Sequence, residues 1–154
     1  MAFRSAPYYD VFYPVGPGCP NHRTDVQLVQ YFLFAIYMNS GWNVAGRFNV
    51  GSIASPAAIF PCSGQYTPEL SVWIKNFQSD ASGQGYGPLF VDGKVNSARK
   101  LWGNKSASGS WYTILAFNQI LIESDKERFL NLAQDKSMPA ELRSDLETLT
   151  LHRA

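Results

Sequence analysis

Ser63-Gly64-Gln65-Tyr66-Thr67-Pro68-Glu69-Leu70-Ser71-Val72-Trp73-Ile74-Lys75-Asn76-Phe77-Gln78 reads as a tight turn that runs straight into a helix. Gly64 supplies the backbone freedom a turn needs. Thr67 offers a side-chain oxygen to the first free backbone N–H groups of a helix, and Pro68 suits the first helical position, where its missing N–H costs nothing. Leu70, Trp73, Ile74 and Phe77 then fall on one face. A related turn follows at Val91-Asp92-Gly93-Lys94-Val95. Two such turns around one short helix predict a small helical binding module rather than an active site.

On the N-terminal side, residues 1–23 contain Pro7, Pro14, Pro17 and Pro20 among several aromatic residues. Proline excludes a continuous helix there, so an extended arm is expected. Such an arm either lies over its own domain or docks on a neighbouring subunit. A first helix is expected from Thr24, with Thr24 and Gln27 as a capping box. Val26, Val29, Phe32, Leu33, Ile36 and Tyr37 recur at helical spacing, and Leu28, Phe34 and Met38 make the other faces apolar. A helix apolar nearly all round is buried on most sides, so this one is expected at the centre, ending at Gly41. Residues 40–62 form an insertion rich in Gly, Ser, Pro and Asn, in which Trp42–Val50 allows a short hairpin.

Ser79–Gly87 reads as a flexible loop, and a short third helix is expected around Ser97–Trp102. The core unit spans 24–106, and 107–154 reads as a C-terminal helical extension. There a buried helix over about 111–123 is expected. A capping box at Ser124-Asp125-Lys126-Glu127 opens a helix bearing Phe129, Leu130, Leu132 and Ala133. A last helix from Met138-Pro139 carries Leu142, Leu146 and Leu149.

The 154 residues fit one domain that buries its own core. With 16% charged residues the chain is not of the charge-rich disordered kind, and its 10 Phe, 8 Tyr and 4 Trp exceed what a small core needs. Some of these aromatics are expected to anchor a partner. A net charge of +1 gives no electrostatic footprint for nucleic acid. No apolar run is long enough to predict a transmembrane helix. The first residues lack a charged n-region followed by an apolar h-region, so no secretory signal is expected and the chain is taken to be made in the cytoplasm. Cys19 and Cys62 are either two free thiols or one disulfide. Cys19-Pro20-Asn21-His22 is half of a zinc pattern without a second half at a recognised spacing, so no metal or other cofactor is expected.

The turn–helix–turn pattern resembles the peptidoglycan-binding-like domain, a three-helix module found beside cell-wall hydrolases. Val29-Gln30 and Leu33 match its first helix. Gly64, Tyr66, Pro68, Ile74 and Phe77-Gln78 match its central motif without a gap, and Val91-Asp92-Gly93-Lys94-Val95 matches its second turn. The match covers about residues 24–102. Ser63 stands where the family has Asp, Thr67 and Asn96 where it has Gly, Leu70 and Arg99 where it has Thr, and Trp73 where a small residue is usual. The resemblance implies a mainly α fold with a peptidoglycan-binding-like three-helix core, plus an extended arm, an inserted loop and a C-terminal helical extension. It implies contact with the cell wall through Tyr66, Trp73, Gln78, Tyr86 and Asp92, since sugars and peptides suit aromatic faces with a few polar groups. A protein that reaches the wall without a signal peptide leaves by lysis or by a delivery machine. That suggests a phage particle or contractile injection system in which the partners are other protein subunits and, through this module, peptidoglycan.

Catalysis is not expected. His22 and His152 lie in the arm and near the end, and no Gly-x-Ser-x-Gly, His-Glu-x-x-His or phosphate loop occurs. Gly83-Gln84-Gly85-Tyr86-Gly87 has the glycines of a nucleotide loop without its Lys. Glu69, Asp80 and Asp92 surround the motif as carboxylates that glycoside cleavage would need in a pair. Each has a simpler expected role at a helix start, in a loop or in a turn.

Overall fold

The computed structural model describes residues 7–39, 55–98, 111–146 and 149–150. The expected helix end at Gly41, the hairpin at 42–50 and the part of the third helix beyond Ala98 lie outside them. The fold is mainly helical. A two-residue strand β1 (Pro7–Tyr8) precedes α1 (Arg23–Phe34), which runs on as a wider π-helical turn over Ala35–Asn39. A single turn at Pro56–Ala58 leads to α2 (Pro68–Gly83). Then come α3 (Thr113–Ser124), α4 (Lys126–Leu130), α5 (Ala140–Asp145) and strand β2 (Leu149–Thr150).

Helix α1 is buried along its whole length from Asp25 to Phe34 and packs against α2, α3 and α5. Its centrality follows from a side-chain set that is apolar on nearly every face. Phe32 on α1 stacks on Phe117 of α3 with ring centroids 5.4 Å apart, and Phe117 stacks on Phe77 of α2 at 4.3 Å. One aromatic column therefore joins the three helices. All three rings are fully buried, and losing any of them to Ala would cost about 3–5 kcal/mol.

Helix α2 starts as its sequence predicts. The Thr67 hydroxyl accepts from the Leu70 amide at 3.2 Å, and Leu70, Trp73, Ile74 and Phe77 are buried. It does not stop at Ser79, however, and the expected loop over Ser79–Gly87 begins only after Gly83. The extra turn is kept because Asp80 and Ala81 are buried, with Asp80 accepting from the Tyr37 hydroxyl at 3.2 Å.

Both expected capping boxes are replaced by other contacts. His22 sits at the N-cap of α1 with no side-chain cap bond. Thr24 donates instead to Asp145 at 2.9 Å and Gln27 to Glu141 at 2.5 Å, so tertiary partners outcompete the local ones. At α4 the cap is Asp125, which accepts from the Arg128 amide, while Ser124 donates back to the Ile120 carbonyl. The last helix ends at Asp145, and Leu149 lies in β2 opposite Tyr8 rather than on a helix face. Ser97 and Ala98 are not helical.

The arm lies on its own domain. Tyr8, Val11 and Val15 are buried in the core, β1 pairs antiparallel with β2, and Val15 bridges to Val95. Two buried carboxylates hold it in place: Asp25 accepts from the amides of Phe12 (2.7 Å) and Tyr13 (3.0 Å), and Asp10 accepts from the Ser97 hydroxyl and the Ala98 amide.

The two turn glycines are required for space as well as for backbone angle. Gly93 has φ +73°, and a Cβ there would lie 2.3 Å from the Ser71 hydroxyl oxygen. Gly18 has a similar φ of +70° but nothing within 4 Å. Gly18→Ala is therefore expected to cost about 1 kcal/mol, from backbone strain alone. Gly93→Ala is expected to cost about 3 kcal/mol, because overpacking adds to the same strain. Urea denaturation followed by circular dichroism measures both, and equal losses would show that the close approach at Gly93 is relieved at no cost.

Candidate functional site

Two of the residues singled out by the sequence motif, Gln78 and Asp92, meet around the second turn. Gln78 projects from α2 into the Asp92-Gly93 loop. Its Oε1 accepts from the backbone amides of Asp92 and Gly93, both at 3.0 Å. Its Nε2 donates to the Lys94 carbonyl (3.0 Å), to Asp92 Oδ1 (3.1 Å) and towards the Thr113 hydroxyl (3.0 Å). Asp92 Oδ1 also accepts from the Lys94 amide at 2.9 Å, the local bond an Asp-Gly turn predicts. Gln78 is 1% exposed and every polar atom of its side chain is engaged, so it faces no ligand.

Trp73 is likewise internal. It is 2% exposed, and its Nε1 donates to the Ser55 carbonyl at 2.9 Å. Three of the five predicted contacts reach the surface: Asp92, which is exposed, and Tyr66 and Tyr86, which are half-buried. The Tyr86 hydroxyl donates to Glu123 at 2.5 Å, and burial together with that carboxylate pushes its pKa up to about 12. Tyr66 precedes α2 and Tyr86 follows it. Sixteen residues of helix separate them, a rise of about 24 Å. The motif residues therefore do not converge on one ligand; Gln78 and Asp92 meet, and they meet to build a turn.

The carboxylates weighed for catalysis are also committed to the fold. Glu69 accepts from the Ser55 amide at 2.9 Å, Asp80 from Tyr37, and Asp92 from Gln78 and Lys94. Burial, with Asp80 alongside, drives the Tyr37 hydroxyl far above the ordinary tyrosine range. Cys19 and Cys62 are free thiols, and burial raises the Cys62 pKa to about 12, with Asp135 adding to it. A thiol so held is inert as a nucleophile. Among the described residues, no group of three His, Cys, Asp or Glu is placed to hold a metal ion, and no helix is long and apolar enough to cross a membrane.

Two glutamines act alike, and of the two only Gln78 is predicted from sequence to contact a ligand. Gln30 on α1 does at the first turn what Gln78 does at the second. Its Oε1 accepts from the Gly64 amide at 2.9 Å, and its Nε2 donates to the Ala58 carbonyl (2.9 Å) and the Ser63 hydroxyl (3.2 Å). Around Gly64 lie Arg23 and Gln27, two turns and one turn back along α1 from Gln30. Around Gly93 lie Ser71 and Lys75, at the same offsets from Gln78. The chain itself carries the signal. Gly16 stands as far before Gln30 as Gly64 stands before Gln78, with Pro20 and Pro68 in register between them.

An open depression of about 420 Å³ lies elsewhere, on the C-terminal extension, lined by Asp125, Glu127, Arg128, Asn131, Gln134 and Asp135. None of the five predicted residues borders it. At its edge Arg128 pairs with Asp135 and contacts Asp125 at 3.3 Å, while the Tyr31 hydroxyl donates to Asp135 at 2.5 Å. The guanidinium is thus already matched by carboxylates of its own chain.

Comparison with protein families, with curated proteins and with solved structures finds no match to this chain.

Replacing Gln78 by Met keeps the volume but strands the amides of Asp92 and Gly93. We expect a loss of about 3 kcal/mol, against about 1 kcal/mol for Asp92→Ala, which removes one local bond and one of the several partners of Gln78 Nε2. Denaturant midpoints of the two variants check this; a larger loss for Asp92→Ala would reverse the roles assigned to the pair.

Proposed function

We propose that this protein is a non-catalytic binding and structural module with a peptidoglycan-binding-like core, a component of a phage particle or contractile injection assembly whose partners are other protein subunits. One observation carries the reading. The polar residues of the motif are consumed in building turns, while large apolar side chains remain at the surface. Phe12, Tyr13 and Phe60 are half-exposed, and Phe90 and Val91, next to the second turn, are 57% and 54% exposed. Exposed aromatic residues of this kind serve as anchors in protein interfaces. The commitment of Glu69, Asp80 and Asp92 to structural hydrogen bonds supports a role without catalysis.

A second reading keeps contact with the cell wall, and the surface positions of Tyr66, Tyr86 and Asp92 favour it. Contacts spread over the length of α2, from Tyr66 before it to Tyr86 after it, suit an extended glycan or stem peptide better than a single sugar.

Sedimentation with isolated sacculi separates the two. Under the structural reading the protein stays in the supernatant at micromolar concentration, and light scattering at high concentration shows self-association or mass gain with its partner subunit. Cosedimentation that Tyr66→Ala and Tyr86→Ala weaken, without loss of folding, would establish the cell-wall reading in its place.

A further inference from the structure

One face of α1 carries hydrogen-bond donors a turn apart, and each meets a carboxylate from the C-terminal segment. Thr24 donates to Asp145 at 2.9 Å. Arg23 (2.8 Å) and Gln27 (2.5 Å) donate to Glu141. Tyr31 donates to Asp135 at 2.5 Å. Of residues 135–146 only Met138 and Leu142 are buried, so apolar packing holds this segment less than it holds the three helices.

We propose that Asp135–Leu146 is an acid-released strap, fastened to α1 through Asp135 and Glu141 and detached as a unit when these two take up protons, while the three-helix body stays folded. Release uncovers the apolar surface beneath Met138 and Leu142.

The charged surroundings fix the direction of the response. Asp135 faces Arg128 and the Tyr31 hydroxyl, accepts from the Ser137 amide at 2.8 Å, and has the buried Cys62 thiol nearby. Arg128 is shared with Asp125, and Arg143 donates to the carbonyls of Asp135 and Met138. Glu141 faces Arg23 and Gln27, and Asp145 faces Thr24. Burial raises the Asp135 pKa, but Tyr31, Ser137 and Arg128 outweigh it and hold the carboxyl below the ordinary range. Gln27 and Arg23 do the same for Glu141. A carboxyl depressed by folding stabilises the fold above its unfolded pKa, and that contribution is lost as pH falls through the folded value. The strap is therefore held at neutral pH and let go as pH falls below the ordinary carboxylate range. Within the body Gln78 meets Asp92, and Asp10, Asp25 and Asp80 are buried carboxylates, so its persistence rests on the column of Phe32, Phe77 and Phe117, which does not titrate.

Amide hydrogen exchange of the intact chain, corrected for the intrinsic effect of pH, tests this between pH 7 and pH 3. The amides of Arg143 and Leu146, which bond to the carbonyls of Pro139 and Leu142, are expected to lose protection at least tenfold at a pH where Phe77 and Phe117 keep theirs. Tyr31→Phe removes a donor that favours the charged form of Asp135, so release moves to higher pH in that variant. Loss of protection in the strap and the three-helix body at one common pH, or a release point unchanged by Tyr31→Phe, would overturn the proposal.

Discussion

The fold depends on side-chain amides buried inside it, each holding backbone that belongs to another part of the chain. Gln30 on α1 holds the turn that leads into α2, through Gly64. Gln78 on α2 holds the turn at Gly93 that precedes α3. Asn118 on α3 closes the ring: it accepts from the Tyr9 amide at 2.7 Å and donates to the Tyr9 carbonyl at 2.8 Å, in the arm that leads into α1. Each helix thus fastens the entry to the next, in a cycle. A carboxamide suits the task because it offers an acceptor and two donors from one planar group, matching a peptide edge. Apolar packing alone would bring the three helices together, but it would leave the turns free to slip. A buried amide with its partners missing costs more than it gives when satisfied, which ties the helices to one register.

That arrangement explains why the motif segment reads so clearly for fold and so poorly for function. Gly64, Thr67, Pro68 and Phe77 have local or packing roles that follow from residue type, and the structure places each accordingly. Gln78 and Trp73 look like ligand contacts in a linear reading because both are often found at binding surfaces. Their burial depends on the turn and on Ser55, contacts distant in sequence that no periodicity reports. Gln30 and Asn118 lie inside helices apolar on nearly every face. A polar residue in such a setting must find an internal partner. That rule identifies them as structural from sequence, though not what they hold.

The boundaries that the sequence misplaces share one cause. Thr24 and Gln27 have the spacing of a capping box, and Ser79–Gly87 has the composition of a loop. In both cases a partner far along the chain decides: Asp145 and Glu141 in the first, Tyr37 with the buried Asp80 in the second. The last helix is likewise shortened, because Leu149 pairs with Tyr8 at the arm. Local propensity is a weak preference, worth tenths of a kcal/mol per residue, and a single well-placed tertiary hydrogen bond outweighs it. The arm is the clearest instance. Its prolines correctly exclude helix, yet nothing in its composition discloses that Asp10, Asp25 and Asn118 bind its backbone.

The polar contacts of this protein fall into two chemical kinds, and their placement is ordered. Gln30, Gln78 and Asn118 make amide bonds between α1, α2, α3 and the segments that enter them, joined at the arm by the buried carboxylates Asp10 and Asp25. Acidic side chains make the bonds that attach the C-terminal segment: Asp135, Glu141 and Asp145 all accept from α1. Amides neither titrate nor respond strongly to salt, whereas half-exposed ion pairs do both. The central body and its outer layer therefore answer differently to the solution around them, although they share α1 as a common support. One helix serves both: Arg23, Thr24, Gln27 and Tyr31 meet the outer segment, and Gln30, beside Arg23 and Gln27, meets the Gly64 turn. A chain whose turns are locked from within while its C-terminal segment is held by carboxylates can change that outer segment without unlocking the turns.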